Sequence, residues 1–190
     1  LGVFSMIRRK DPRVAGSETA TKVSRFIAEN PVFGPEQIGK LSALLNGDPL
    51  GADPVLRRAV WDEVVDVAER MYEPGRFTTF VGYEWGSMPG GNNLHRNVIF
   101  RGNGDQARLV EPFTVYKPFG SDNPEDLWKW MAATEAKTGT EVLAIAHNGN
   151  LSNGLMFPVV ESFGKKLDRA YAETRQKWER LYEVTQTKGD

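Results

Sequence analysis

The chain contains two histidines, His95 and His147, and each stands at the edge of an apolar segment with an asparagine close by. His147 closes the run Val142-Leu143-Ala144-Ile145-Ala146 and leads into Asn148-Gly149-Asn150. Glu84 lies near the end of Phe77–Trp85, a segment rich in β-branched and aromatic residues. Imidazoles combined with a carboxylate suit a hydrolytic Zn, Mn or Fe centre, where a divalent ion makes a bound water nucleophilic near neutral pH. The spacing is non-local, so it is not a zinc-finger pattern; only a sheet that gathers strand ends would unite the three. Read from the residues alone, two accounts of His147 stand. It sits at the carboxyl end of a buried strand, where α/β folds place their chemistry, or it caps a hairpin whose turn is Asn148-Gly149. Leu151-Ser152-Asn153-Gly154-Leu155 does not alternate like a returning strand, which favours the first. Plain hydrogen-bonding roles for both histidines stay open.

No other motif competes strongly. Gly86-Ser87-Met88-Pro89-Gly90 lacks the nucleophile-elbow spacing, which needs glycine two residues either side of serine. Gly102-Asn103-Gly104-Asp105 matches neither a Walker loop nor a dinucleotide fingerprint and reads as a hairpin turn. Gly90-Gly91-Asn92-Asn93 is either an anion cradle of backbone N–H groups or a flexible loop. Arg8-Arg9-Lys10 reads as a solvated surface cluster.

The elements that must position these residues follow from caps and periodicity. Residues 1–16 show no clear element beyond a turn at Asp11-Pro12. Ser17 or Thr19 caps a helix to Asn30, which Pro31 ends. Pro35 starts a helix through Leu45, closed by a turn at Asn46-Gly47-Asp48-Pro49. Asp53-Pro54 opens a long helix whose apolar stripe is Val55, Leu56, Val60, Val64, Val67, Ala68 and Met71, with Trp61 in the core. Strands are expected over 77–85 and 94–100, a helix from Asn123-Pro124 to about Lys137 with Gly139 as its stop, and a strand over 141–146. A helix over 166–180 and a last strand over 181–185 complete the series. This order implies parallel βα units in an α/β fold, compatible with an open doubly wound sheet or part of a barrel.

Bulk properties narrow the class. A chain of 190 residues, 40% hydrophobic, supports a packed core. A net charge of −1 argues against a general nucleic-acid or anionic-membrane binder. With no cysteine there is neither a disulfide nor a thiolate metal site. No apolar run reaches membrane-spanning length and there is no signal peptide, so a cytoplasmic and a periplasmic setting both remain open. The apolar start at Leu1-Gly2-Val3, without an initiator methionine, and an end just after a strand suggest an internal segment of a longer protein, the central part of one domain.

Three stretches carry a resemblance: Gly82-Tyr83-Glu84-Trp85, Pro89 through Phe100, and Ala146 through Gly154 are similar to the DUF3604 family, which resembles the PHP (polymerase and histidinol phosphatase) metallohydrolases. The resemblance covers nearly the whole chain. It implies a partial, distorted (β/α)₇ barrel and a cluster of two or three divalent ions that hydrolyses phosphoesters of a small-molecule substrate. Glu84 would match a metal-bridging carboxylate, His147 the histidine of a His-Pro-Gly-Asn-like motif, and His95 an intervening ligand. Glu84 and His147 would then be catalytic, and Arg96 and Asn148, beside the ligands, would contact substrate. The family pattern also includes an amino-terminal His-x-His, an Asp-His and a carboxy-terminal Asp-x-His that this chain lacks, so the segment alone is expected to be inactive. A different class, a non-catalytic module stacking a sugar on Trp85, Trp128 and Trp130, is weakened because Trp128 and Trp130 are two apart and cannot share a helix face.

Overall fold

The computed structural model describes residues 2–32, 34–44 and 52–186. The expected turn at Asn46–Pro49 lies outside the described residues. The chain divides into two units, Leu1–Val64 and Val65–Asp190.

The first unit is helical. Within residues 2–16, where the sequence suggested only a turn at Asp11-Pro12, the chain forms helix α1 (Gly2–Arg8) and, at that turn, a 3₁₀ turn at Pro12–Val14 capped by Asp11. Arg8, Arg9 and Lys10 are exposed, as expected of a surface cluster, and Arg9 with Arg13 clamps Asp11 and Glu63. Helix α2 (Glu18–Glu29) starts at Ser17, whose Oγ accepts from Ala20 N at 2.8 Å and donates to Asp53 at 2.8 Å. Asp53 in turn accepts from Leu56 N at 2.9 Å, so one polar pair caps both α2 and the helix that begins at Pro54. Helix α3 spans Pro35–Leu44. Met6, Val14, Val23, Phe26, Leu41 and Leu56 fill the core.

Helix α4 (Pro54–Met71) crosses the division between the units. Its buried residues include Leu56, Ala59, Trp61 and Val65, whereas Val64, Val67 and Met71 are exposed. The stripe expected from periodicity is therefore corrected: of its seven residues only Leu56 is fully buried, and Val55 is exposed as well.

The second unit holds the sheet. Strands β1 (Gly82–Trp85), β2 (Arg96–Phe100) and β3 (Val142–Ala146) are joined later by β6 (Leu181–Tyr182), in the order β1-β2-β3-β6. The expectation of parallel βα units is corrected here. β1 and β2 are antiparallel, as are β2 and β3; only β3 and β6 run parallel. Residues 86–95 between β1 and β2 contain only a 3₁₀ turn, too short for a crossover. After β2 the chain makes a short helix, α5 (Gly104–Ala107), and residues 108–123 travel back beside Ser87, whose Oγ donates to Asp122 O at 2.6 Å. Helix α6 (Pro124–Thr138) then returns the chain to the end it left, which makes β3 antiparallel to β2. The described residues thus form a mixed helix–sheet fold of the α/β class with an open sheet.

Gly102–Asp105 is not a hairpin turn. Asn103 and Gln106 form a reciprocal capping box at the start of α5, an Asn-x-x-Gln signal readable in the sequence. Gly104 is required there, because a Cβ would lie 2.7 Å from Val65 and Glu69 side-chain carbons. Of the strand expected over 77–85 only Gly82–Trp85 forms; Phe77 and Phe80 stay exposed. A hairpin of β4 (Glu161–Ser162) and β5 (Lys165–Lys166) precedes helix α7 (Arg169–Trp178), which Asp168 caps.

Pairing registers sort the side chains onto two faces. Tyr83, Trp85, Arg96, Val98, Phe100, Ala144 and Ala146 share one face; Glu84, Asn97, Ile99, Leu143 and Ile145 share the other. The first is the buried one: Trp130 of α6 meets Tyr83 and Phe100 edge-on, with centroids 6.0 and 6.4 Å apart. Trp85 and Trp128, both 1% exposed, belong to this core and offer no stacking platform to a sugar.

Candidate metal centre

Glu84 is the third residue of β1, His95 immediately precedes β2, and His147 immediately follows β3. Because β2 runs against its neighbours, its amino end lies beside the carboxyl ends of β1 and β3. The two-residue alternation puts all three side chains on the open face at that rim. His95 Nδ1 lies 2.6 Å and His147 Nε2 3.0 Å from the same oxygen, Glu84 Oε1. The rings meet edge-to-face with centroids 5.9 Å apart. The backbone ties them as well, since His147 N–H donates to His95 O at 3.2 Å.

The loop chemistry that holds this rim is local. Asn148 takes the left-handed conformation at φ 61°, turning the chain straight out of β3 into a 3₁₀ turn at Gly149–Leu151. No strand returns from it, so the Asn-Gly pair is not a hairpin turn. Asn93 Oδ1 accepts from His95 N at 3.1 Å, and Asn93 N donates to Leu151 O at 3.0 Å. Asn153 Nδ2 donates to Asn92 Oδ1 at 2.7 Å, joining the two site loops side chain to side chain. The residues read as a flexible glycine loop are therefore stitched to the His147 loop.

The donor set fits a divalent ion. Two imidazole nitrogens and one carboxylate oxygen lie within 4.8 Å of one another. Three protein ligands leave a position for water or substrate, and the Glu84 side chain, 49% exposed, opens the group to solvent while that of His147 is 5% exposed. Among the described residues, His95 Nε2, His147 Nδ1 and both amide atoms of Asn148 are buried without a hydrogen-bond partner. Unpartnered buried polar atoms are uncommon in folded proteins, and four on three residues of one rim mark it for ligands or ordered water. Partial burial alone would raise the Glu84 carboxyl; the hydrogen bonds and charge of His95 and His147 outweigh it and leave the group below the usual carboxylate range.

A family model described as "Protein of unknown function (DUF3604)" matches residues 17–190. The chain belongs to the DUF3604 family. No curated protein and no solved structure matches it.

Not every residue singled out in this DUF3604 chain reaches the cluster. Asn148 follows His147 directly and is 2% exposed. Arg96 lies on the opposite, helix-covered face and is 1% exposed; its guanidinium bonds Leu94 O and Glu179. Sequence reasoning missed Asn97, the exposed cross-strand neighbour of Glu84, which strict two-residue alternation from His95 would have found. It also missed Glu179, whose side chain is 2% exposed although it follows a charged helix; nothing in its neighbourhood signals burial. A groove of about 630 Å³ lies toward the other end of the strands, with Phe80, Ile99, Leu143, Ile145 and Leu181 in its lining and none of the cluster residues. Among the described residues, Glu84, His95 and His147 form the group that could hold a metal ion.

Proposed function

We propose that this chain carries a metal-dependent hydrolase centre of phosphoesterase type, resembling that of the PHP metallohydrolases. The observation that supports the reading is the convergence of His95 and His147 on one oxygen of Glu84, with buried unpartnered nitrogens beside it. Glu84, His95 and His147 hold the ion, whether Zn, Mn or Fe. When bound, the ion supplies a water acidified toward neutrality and a Lewis acid for the scissile ester. Glu84 contributes the negative charge that offsets part of the ion's own. His147, almost enclosed at the end of β3, fixes the direction from which the ion is held. Asn148 offers an amide NH₂ that donates and a carbonyl oxygen that accepts, suited to an oxygen of a small-molecule substrate and its water.

The test is metal content followed by turnover. Purified without chelator, the 190-residue chain is expected to retain or take up Zn, Mn or Fe by mass spectrometry, and His147→Ala to lose it. Hydrolysis of p-nitrophenyl phosphate and its bis ester then examines the reaction type in a protein that also carries the His-x-His and Asp-x-His motifs, because the segment alone is expected to be inactive. A wild-type chain that binds none of the three ions on titration removes the proposal.

A further inference from the structure

Arg96, which adjacency to His95 marks for substrate contact, has another use. Its Nε donates to Glu179 Oε1 at 2.9 Å, and its Nη1 donates to the carbonyl oxygen of Leu94. Glu179 is itself fully engaged: Trp128 Nε1 donates to Oε1 at 2.9 Å and Arg175 Nη2 to Oε2 at 3.0 Å. The Arg96 and Glu179 side chains are 1% and 2% exposed. A buried ion pair of this kind is poor evidence for stability, because apolar residues of similar volume often do as well or better. Its retention calls for a local reason, and the atom it grips supplies one.

Leu94 O belongs to the peptide that enters His95. The other polar backbone atoms around that peptide are also held. Leu94 N–H donates to Ser87 O at 2.9 Å and His95 N–H to Asn93 Oδ1 at 3.1 Å, while His95 O accepts from His147 N–H at 3.2 Å. Of these contacts only that of Arg96 is made by a charged side chain, and it reaches from the helix-covered face, where Leu94 also packs with Ala146 and Met156, to the segment that carries the ligand. We propose that Arg96, held by Glu179, is a positioning residue: it fixes the Leu94–His95 peptide from beneath the sheet and so sets the approach of the His95 ring to Glu84. The device works through the backbone, whereas a substrate contact would require Arg96 on the open face. Its consequence for metal affinity rests on the metal-centre reading; its consequence for the ring does not.

The experiment uses the 190-residue chain with Arg96→Met, Arg96→Lys and Glu179→Gln, each checked for folding by circular dichroism. In the metal-free proteins, long-range ¹H–¹⁵N spectra of the imidazoles are simple to read because the chain has only 2 histidines. The His95 ring signals are expected to move more than those of His147 in Arg96→Met. Titration with Co²⁺ is expected to give binding about 10- to 100-fold weaker, as for other outer-shell supports of metal ligands, with a changed visible spectrum. Arg96→Lys, which keeps a cation able to reach one of the two acceptors, is expected to recover part of both effects. Folded Arg96→Met and Glu179→Gln proteins with wild-type ring signals, Co²⁺ spectrum and affinity would overturn the proposal. If Arg96→Met does not fold, Glu179→Gln, nearly isosteric, decides by the same criteria. A wild-type chain that ignores Co²⁺ defeats the metal-centre reading alone, and the ring signals then decide the positioning role.

Discussion

Replacing Glu84 by glutamine isolates the charge at the rim while keeping its shape. The carboxylate is the single anion of the cluster, and both imidazoles reach the same oxygen. A carboxylate about 2.1 Å from a divalent ion attracts it by about 4 kcal/mol even with the screening of bulk water. Bulk screening is the appropriate lower limit for a side chain 49% exposed. Removing that attraction would weaken binding about a thousandfold; the amide oxygen of glutamine retains some donor strength, so we expect a loss of about a hundred- to a thousandfold. Isothermal titration with Zn²⁺ or Mn²⁺, with the melting temperature of the metal-free proteins as control, measures it. A Glu84→Gln protein that binds the ion within about tenfold of wild type, about 1.4 kcal/mol, would refute the argument that this carboxylate holds the metal.

Other expectations follow from the same structure. Hydrogen bonds from Arg13 and Arg9 hold the Asp11 carboxyl well below its usual range. A depressed folded value means its stabilisation is complete above the unfolded value near 4 and is lost as pH falls through the acid range; urea midpoints should therefore fall less between pH 7 and pH 3 in Asp11→Asn than in wild type. Ser17→Ala removes the cap of α2 and its bond to Asp53, and should cost about 1 kcal/mol in chemical denaturation. A Cβ at Gly149 would lie 2.5 Å from the Tyr182 hydroxyl. Gly149→Ala should therefore lower stability by about 1 kcal/mol, and adding Tyr182→Phe should restore most of it; a double mutant no better than the single would show that the strain lies elsewhere.

Helices α2, α3, α4, α6 and α7 and the three ligand candidates were legible, and for local reasons, whereas α1 and α5 were not. Ser17, Asp53-Pro54 and Asn123-Pro124 mark helix starts because their side chains satisfy backbone donors a few residues on. His147 was legible because an uninterrupted apolar run ended on it. Strand direction was not. For β2 and β3 it depended on residues 101–123 travelling the length of the sheet, a segment with little periodicity to read; for β1 and β2 the connection at 86–95, too short for a crossover, already required the antiparallel pairing that the expected parallel units overlooked. Arg96 illustrates the same limit at one side chain: adjacency in sequence suggested partnership with His95, whereas alternation along β2 sends the two to opposite faces.

By itself the sequence determined what is carried by short range: caps, apolar runs, the absence of thiol chemistry and the presence of two imidazoles and a carboxylate at strand ends. Tertiary structure alone decided that Glu84, 11 residues from His95 and 63 from His147, meets both at one oxygen. It also decided that a buried arginine braces the rim from behind. The reason is physical: capping and periodicity are energies between neighbours, while strand order and pairing register are set by the whole chain's packing, and one reversed strand changes which ends lie side by side.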